Sequence, residues 1–303
     1  MNTNLVTVCI TTHNRKELLP LTLNSILNQT YKNIEIIIVD DFSNDGTKEL
    51  IENELLKLDD RIRFIRHEEN KGLAAGRNTA VFNAKGKYFT FCDDDDEWMS
   101  NFVEEFVKES SKYDDNWCFS CFNFTGNKNN YTFEGTLKQA IINGLTPPVA
   151  SQFYHTNTLK KIGGYNNLSS GVDHDLWLTL SFNNIKLKVI PKELSTPNRF
   201  STEHSRMTNT FDKRVEGINT SLEYWKVNIT QHFGINFFNH FRREYTYYNF
   251  RNFLKKSITD KNIILFVKVV NYGISKRIVF KLFSELLILN KRNVNEPLFK
   301  GFM

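Results

Sequence analysis

Along this chain, short continuous apolar runs alternate with segments in which apolar residues return every three or four positions. Leu5 to Thr11 is the first such run, rich in β-branched residues, and Arg15 to Asn28 follows with Leu18, Leu21 and Ile26 at helical spacing. The step repeats: Ile34 to Val39 ends in Asp40-Asp41, and Ser43-Asn44-Asp45-Gly46 then leads into a helical pattern from Thr47 to Leu58. Arg61 to His67 reads as a third strand, Leu73 to Ala84 as a third helix, and Tyr88 to Cys92 as a fourth strand that runs into Asp93-Asp94-Asp95-Asp96. Strands and helices in alternation predict an α/β domain with a mainly parallel central sheet and helices on both faces. Such sheets take ligands beyond the C-terminal ends of their strands. Thr11, His13, Asp40, Asp41 and Asp93 to Asp96 all follow strand ends, so they are the polar residues on which function is expected to turn.

After Asp96 the pattern loosens into a helix from Met99 to Tyr113, a strand from Trp117 to Phe124, a Pro147-Pro148 turn, Gly163-Gly164, and a helix starting near Val172. From about Asp212 the chain is helical in character, with Arg277, Lys281 and Ser284 on the face opposite Val279, Leu282, Phe283 and Leu286. There is no internal repeat and no low-complexity segment.

Charge divides the chain in a way its composition hides. The net +5 of the 303 residues combines 16 basic against 6 acidic residues in 213–303 with 23 against 28 before them. A basic, aromatic-rich C-terminal region suits phosphate, whether in nucleic acid, anionic lipid or a diphosphate-linked substrate. The start MNTNLVTVCITT has no basic n-region, apolar stretch and cleavage site, so a cytoplasmic location is expected. The longest apolar candidate, Ile263 to Leu289, is broken by Lys268, Lys276, Arg277, Lys281 and Glu285, which suits a helix lying on a membrane rather than crossing it. Cys118 and Cys121 form a CxxC inside a predicted strand, where residues three apart point to opposite faces; they are expected to be core residues, not metal ligands.

Four successive carboxylates after a buried strand repel one another unless a cation or a proton intervenes. A hard divalent ion is the expected solution. Mg²⁺ and Mn²⁺ favour carboxylate oxygen and are completed by water and substrate phosphates. The competing reading is a solvated acidic loop. A nucleotidyltransferase would also use metal on an α/β sheet, but its chemistry wants a Gly-rich phosphate loop, and Thr11-Thr12-His13-Asn14-Arg15 contains no glycine. A non-catalytic nucleotide- or carbohydrate-binding subunit is the other alternative.

Five blocks occur in order: Val8-Cys-Ile-Thr-Thr-His-Asn-Arg15, Ser25-Ile-Leu-Asn-Gln-Thr-Tyr31, Ile36-Ile-Ile-Val-Asp-Asp-Phe-Ser-Asn-Asp-Gly-Thr47, Asn70-Lys-Gly-Leu-Ala-Ala-Gly-Arg-Asn78, and Gly86-Lys-Tyr-Phe-Thr-Phe-Cys-Asp-Asp-Asp-Asp-Glu-Trp98. Together they resemble family 2 glycosyltransferases of the GT-A fold, from about residue 5 to about residue 207. The resemblance implies a domain over 1–212, with a nucleotide-sugar-binding half at 1–98 and an acceptor-binding half at 99–212, followed by the helical region 213–303. It implies that Thr11, His13 and Asp41 grip a uracil base, His13 standing where the family often has Tyr. It makes Asp93-Asp94-Asp95 the DXD motif, with Asp95 the direct ligand of Mn²⁺ or Mg²⁺, Asp93 near the ribose or the metal, Asp94 on the donor, and Asp96 reaching sugar hydroxyls. Arg77 faces the donor or its diphosphate in this reading, unless it is a surface ion pair. His204 matches a histidine near the diphosphate.

Gly171-Val-Asp-His-Asp-Leu-Trp-Leu178 resembles the family's Glu-Asp block, with Val172 in place of the Glu and Trp177 as core. Asp173 then falls on the catalytic base, and Asp175 is its competitor on another helix face. The implied reaction is an inverting transfer of a hexose (glucose, galactose or an N-acetyl form) from a UDP-sugar to a glycan or polyprenyl-diphosphate-linked acceptor, as in O-antigen or capsule synthesis. Nucleic acid is not expected as a partner. An anionic membrane surface is the expected partner of 213–303, through Phe237, Phe238, Phe241, Tyr245, Tyr247, Tyr248 and Phe250, with packing of a helical subdomain or a dimer interface as the alternative.

Overall fold

The computed structural model describes residues 4–123, 132–145, 151–197, 199–200, 211–259 and 263–275. The chain forms two compact units, one of Met1–Ala140 with Pro147–Arg206, the other of Ile141–Thr146 with Met207–Met303.

In the first unit, strands β1 (Val6–Thr12), β2 (Ile34–Asp40), β3 (Ile62–Arg66) and β4 (Tyr88–Asp93) alternate with helices α1 (Leu19–Leu27), α2 (Thr47–Asn53) and α3 (Leu73–Asn83). β1 pairs in parallel with β2 and β4, and β2 in parallel with β3. The continuous apolar runs are explained by burial on both sheet faces: Val6, Val8, Ile10, Ile36 and Ile38 pack with Leu19, Leu23, Ile26 and Ile51 of α1 and α2, and Cys9, Ile37 and Val39 on the opposite face are buried as fully. α1 begins four residues later than its apolar pattern suggests, because Arg15 to Leu18 form a turn; Pro20 sits in the first helical turn, where no N–H donor is needed. The helical pattern expected to Leu58 stops at Asn53 and resumes as one 3₁₀ turn, Leu55–Lys57.

The remaining elements of this unit are β5 (Glu97–Trp98), α4 (Phe102–Ser110), β6 (Trp117–Asn123), β7 (Glu134–Thr136), α5 (Leu137–Ile142, whose last two residues belong to the second unit), β8 (Gln152–His155), α6 (Thr156–Lys161), α7 (Val172–Phe182) and β9 (Lys186–Thr196). They extend one nine-stranded sheet in the order β3-β2-β1-β4-β8-β6-β9-β5, with β7 on β9. β8 runs antiparallel to both β4 and β6, and β9 antiparallel to β5 and β7, so four of the eight strand pairings are antiparallel. The expectation of a mainly parallel sheet therefore holds for the first half and fails for the second, where β8 inserts antiparallel between β4 and β6 and only the β6–β9 pair is parallel. Pro191 interrupts β9: the register with β6 shifts between Cys121 and Phe122, as a residue with no N–H to donate requires. All four cysteines are buried and unpaired, and burial pushes the thiols of Cys118 and Cys121 up to about 12, so they behave as apolar core.

The second unit contains α8 (Phe211–Phe233), α9 (Ile235–Thr259) and α10 (Ile263–Ser275), with Gly234 in the left-handed region between the first two. Aromatic residues form its core: Trp225 stands edge-on to Phe241 and Tyr245, and Phe250 lies against Phe211 and Tyr272. Phe237, Phe238, Phe241, Tyr245, Tyr247 and Phe250 are all buried, so these rings pack protein rather than present an apolar face. The side chain of Tyr248, and the segment carrying Arg277, Lys281 and Ser284, lie outside what the structure describes. No helix among the described residues is long and apolar enough to cross a membrane.

Candidate active site

Sheet register assembles the site. Thr11 lies opposite both Val39 and Asp93, and Thr12 opposite Asp40, so the ends of β1, β2 and β4 finish side by side. The chain leaves β4 through the acidic run, which turns tightly: the Asp96 N–H donates to the Asp93 carbonyl at 3.0 Å. Asp96 is buried beneath the run, and its carbonyl accepts from Thr22 Oγ1 of α1 at 2.9 Å. Arg15 reaches the two middle carboxylates with one nitrogen, Nη1 standing 2.7 Å from Asp94 Oδ1 and 3.1 Å from Asp95 Oδ2. Burial pushes the Asp94 carboxyl up to about 6; Arg15 opposes this and Asp95 adds to it.

Two of the site's carboxylates converge on Arg77. It is fully buried on α3, yet Nη2 donates to Asp93 Oδ1 at 2.8 Å and Nη1 to Asp173 Oδ1 at 2.7 Å. Its Cζ stands 3.6 Å from the centroid of the Phe91 ring. Burial works against its charge, but Asp173 and Asp93 hold it well above the ordinary range. Arg77 is thus not the surface ion pair allowed as an alternative. α3 comes this close because residue 76 is glycine: a Cβ there would meet Thr11 Cγ2 at 2.9 Å.

Asp173 occupies the first turn of α7, where the helix dipole favours a carboxylate, after Gly171 at φ +73°. Its side chain is 23% exposed. Gln152 Nε2 lies 3.5 Å from Oδ1, and Oδ2 has no partner among the described residues. Asp175, one helix face away, is buried and accepts from Asn166 Nδ2 at 3.0 Å. Val172 and Trp177 are core residues.

At the β1 and β2 ends, His13 Nδ1 lies 2.7 Å from the Asp41 carbonyl, while Nε2 faces Asn70 Nδ2 at 3.1 Å and Asn14 Nδ2 at 3.2 Å. This network assigns the proton to Nδ1 and commits the ring edge, leaving the ring faces for stacking. Asp41 uses both oxygens to hold the loop before α3: Oδ1 accepts from Lys71 N at 2.8 Å and pairs with His67 Nδ1 at 2.7 Å, and Oδ2 accepts from Gly72 N at 2.7 Å. Asp40 is fully buried and anchors Arg66 at 2.5 Å.

His13 and Asp41 thus gather at one side of the strand ends and Arg77, Asp93 and Asp173 at the other, with Thr11 between them and Asp94 and Asp95 on Arg15. His204 lies outside the described residues. Arg15, His67 and Gln152 were not singled out from sequence. Their partners are 79, 26 and 21 residues away, beyond any local pattern. The signal for Arg15 was the need of a buried acidic run for a cation on a neighbouring strand end.

The family model described as Glycosyl transferase family 2 matches residues 7–165. The chain is 38% identical over 125 residues to the putative teichuronic acid biosynthesis glycosyltransferase TuaG of Bacillus subtilis, a match covering 40% of this chain and 46% of that protein. It is 46% identical over 96 residues to the UDP-Glc:alpha-D-GlcNAc-diphosphoundecaprenol beta-1,3-glucosyltransferase WfaP of Escherichia coli, covering 32% and 37%. The matches span less than half the length of these curated relatives. Among solved structures, S. aureus TarS 1-349 in complex with UDP-GlcNAc is similar at a TM-score of 0.64 and 18% identity, covering 89% of this chain and 81% of that one. GalNAc-T7 with UDP, GalNAc and Mn²⁺ gives 0.54 and 18%, covering 64% and 43%. At these identities the likeness shows the fold, an α/β GT-A domain with a helical C-terminal region.

Proposed function

This chain belongs to glycosyl transferase family 2, and on that premise we propose that it is an inverting glycosyltransferase, moving a hexose from a UDP-sugar to a hydroxyl of a glycan or lipid-linked acceptor. One observation carries the reading: Asp93, at the end of β4, and Asp173, in the first turn of α7, meet on one buried guanidinium. With Oδ1 engaged by Arg77, Asp173 has Oδ2 available to take the proton of an acceptor hydroxyl. The acceptor oxygen forms its bond to the anomeric carbon as the bond to the UDP oxygen breaks on the opposite face and its electron pair leaves with UDP. A single displacement turns an α-linked donor into a β-glycoside. The faces of His13, with Thr11, serve the base, and Asp41 holds the loop beside them with both its oxygens; Asp94 lines the donor side, whereas Asp96, buried beneath the run, is not placed to reach the sugar hydroxyls expected of it.

The donor set suits a divalent cation. Asp93 Oδ2 and Asp95 Oδ1 accept no hydrogen bond among the described residues, and Mg²⁺ or Mn²⁺ takes such oxygens together with water and phosphate. Among the described residues no group of three His, Cys, Asp or Glu side chains could hold a metal, which fits an ion whose sphere the donor diphosphate completes. When bound, such an ion stabilises charge on the departing diphosphate. WfaP is named for a diphosphoundecaprenol-linked acceptor and TuaG for teichuronic acid biosynthesis, which support an acceptor of that class and a place in surface polysaccharide synthesis; a lipid-linked acceptor would put the work at the inner face of the cell membrane.

The test is a donor screen with UDP-glucose, UDP-galactose and their N-acetyl forms, with Mn²⁺ and a lipid-diphosphate sugar acceptor, the product linkage being read by NMR. A β-linked product is expected. An α-linked product, or transfer of a nucleotidyl group, would overturn the reading.

A further inference from the structure

Three consecutive residues of α3 join parts of the first unit that are far apart in sequence. Gly76 allows α3 to approach the end of β1, Arg77 grips both Asp93 and Asp173, and Asn78 closes a two-way contact with Tyr165, its Nδ2 donating to the Tyr165 carbonyl at 2.8 Å and its Oδ1 accepting the Tyr165 N–H at 2.7 Å. The Tyr165 segment leads to α7 through Gly164, where a Cβ would collide with Asn78 Oδ1. The Tyr165 ring in turn lies 5.6 Å from Arg77 Cζ, on a guanidinium already stacked on Phe91.

A guanidinium is planar, carries its donors in a fixed fork and stays charged, so it can hold two carboxylates at a set separation while a stacked ring sets its plane. We infer that Arg77 is a positioning residue, a two-armed clamp that fixes the proton-accepting carboxylate of α7 relative to the acidic end of β4 and does not itself contact the donor. Its burial is the reason: the side chain has no exposed surface, and both its terminal nitrogens are committed to protein carboxylates. The role rests on Asp173 being the base. It differs from the donor or diphosphate contact suggested by motif position, because a diphosphate ligand must present a nitrogen to the donor.

The clamp makes two measurable statements. In the full chain, Arg77→Lys and Arg77→Gln should both lower kcat by about 100-fold, the cost of a misplaced catalytic group, with the dissociation constant for UDP measured by calorimetry changing less than about threefold. Lysine should not rescue, since one ammonium cannot reproduce the fork. Weakened UDP binding with kcat retained, or full activity in Arg77→Lys, would overturn the clamp. Because a buried arginine variant risks not folding, the second measurement keeps Arg77 in place: melting temperatures of Asp93→Asn, Asp173→Asn and the double variant. With a shared partner, the double loss exceeds the sum of the single losses, because only then does the buried guanidinium lack every counter-charge. Additive losses would overturn the clamp. This cycle needs no turnover, so it is decided separately from the glycosyl-transfer reading, which is decided by the product that the wild-type chain forms.

Discussion

Replacing Asp173 by Asn tests the proposed base with the least disturbance of its surroundings. The amide oxygen of Asn still accepts from Arg77 Nη1, where Asp173 Oδ1 now stands 2.7 Å away, and Arg77 keeps Asp93 at 2.8 Å as its counter-charge. The stability cost is therefore that of weakening one charge-assisted hydrogen bond, about 1–2 kcal/mol, not that of stranding a buried charge. Catalysis loses more. A positioned general base contributes roughly 10²- to 10⁴-fold, about 2.7–5.5 kcal/mol of barrier, and an amide cannot take the acceptor proton. Donor affinity should hold, since Asp173 acts on the acceptor. The assay pairs UDP release at saturating donor and acceptor with calorimetry of UDP and a urea melt. We expect kcat down at least 100-fold, UDP affinity within about twofold, and a folded protein. Asp175→Asn, at a buried position bonded to Asn166, should lower stability more than turnover. Near-normal turnover in Asp173→Asn together with a collapse in Asp175→Asn would refute the assignment.

Removing divalent metal with EDTA, or substituting Asp95→Ala, should weaken UDP binding about tenfold or more by calorimetry; equal affinity with and without metal would remove the ion from the site. Burial holds the His155 imidazole at about 4, with Lys87 adding to the effect, against 6.5 when exposed. Between those values the unfolded chain binds the extra proton, so His155 makes stability fall as pH drops from about 6.5 to 4, by up to about 3 kcal/mol. His155→Phe, in a site lined by Tyr88 and Phe119, should flatten that part of the urea-melt profile relative to wild type. Gly164 and Gly163 share a positive φ, +77° and +85°, but only at Gly164 would a Cβ strike another residue, Asn78. Gly164→Ala should therefore cost about 2–4 kcal/mol and Gly163→Ala about 1–2 kcal/mol, and equal costs would disprove the contact.

The order of elements through β4 and the position of the acidic run were legible from pattern alone. A strand buried on both faces must be continuously apolar, and a helix covering it must be apolar at every third or fourth position, so Ile34 to Val39 and Leu73 to Ala84 could hardly be read otherwise. Five local blocks likewise identified the family, because each is a continuous stretch of sequence. The second half was decided by tertiary structure. β5, β7 and β8 are two to four residues long, too short for any period, and β9 holds a proline that a strand pattern argues against. Nothing local states that β8 will insert antiparallel between β4 and β6. The same holds for the charges at the site. Helical period separates Asp173 from Asp175 without saying which is buried; the packing of α7 decides that. Arg77 could be read as a surface ion pair until the sheet closed and brought Asp93 and Asp173, 16 and 96 residues away, onto one guanidinium. A buried charge is stable only where its partners converge, and that convergence is a property of the folded sheet, not of any segment of sequence.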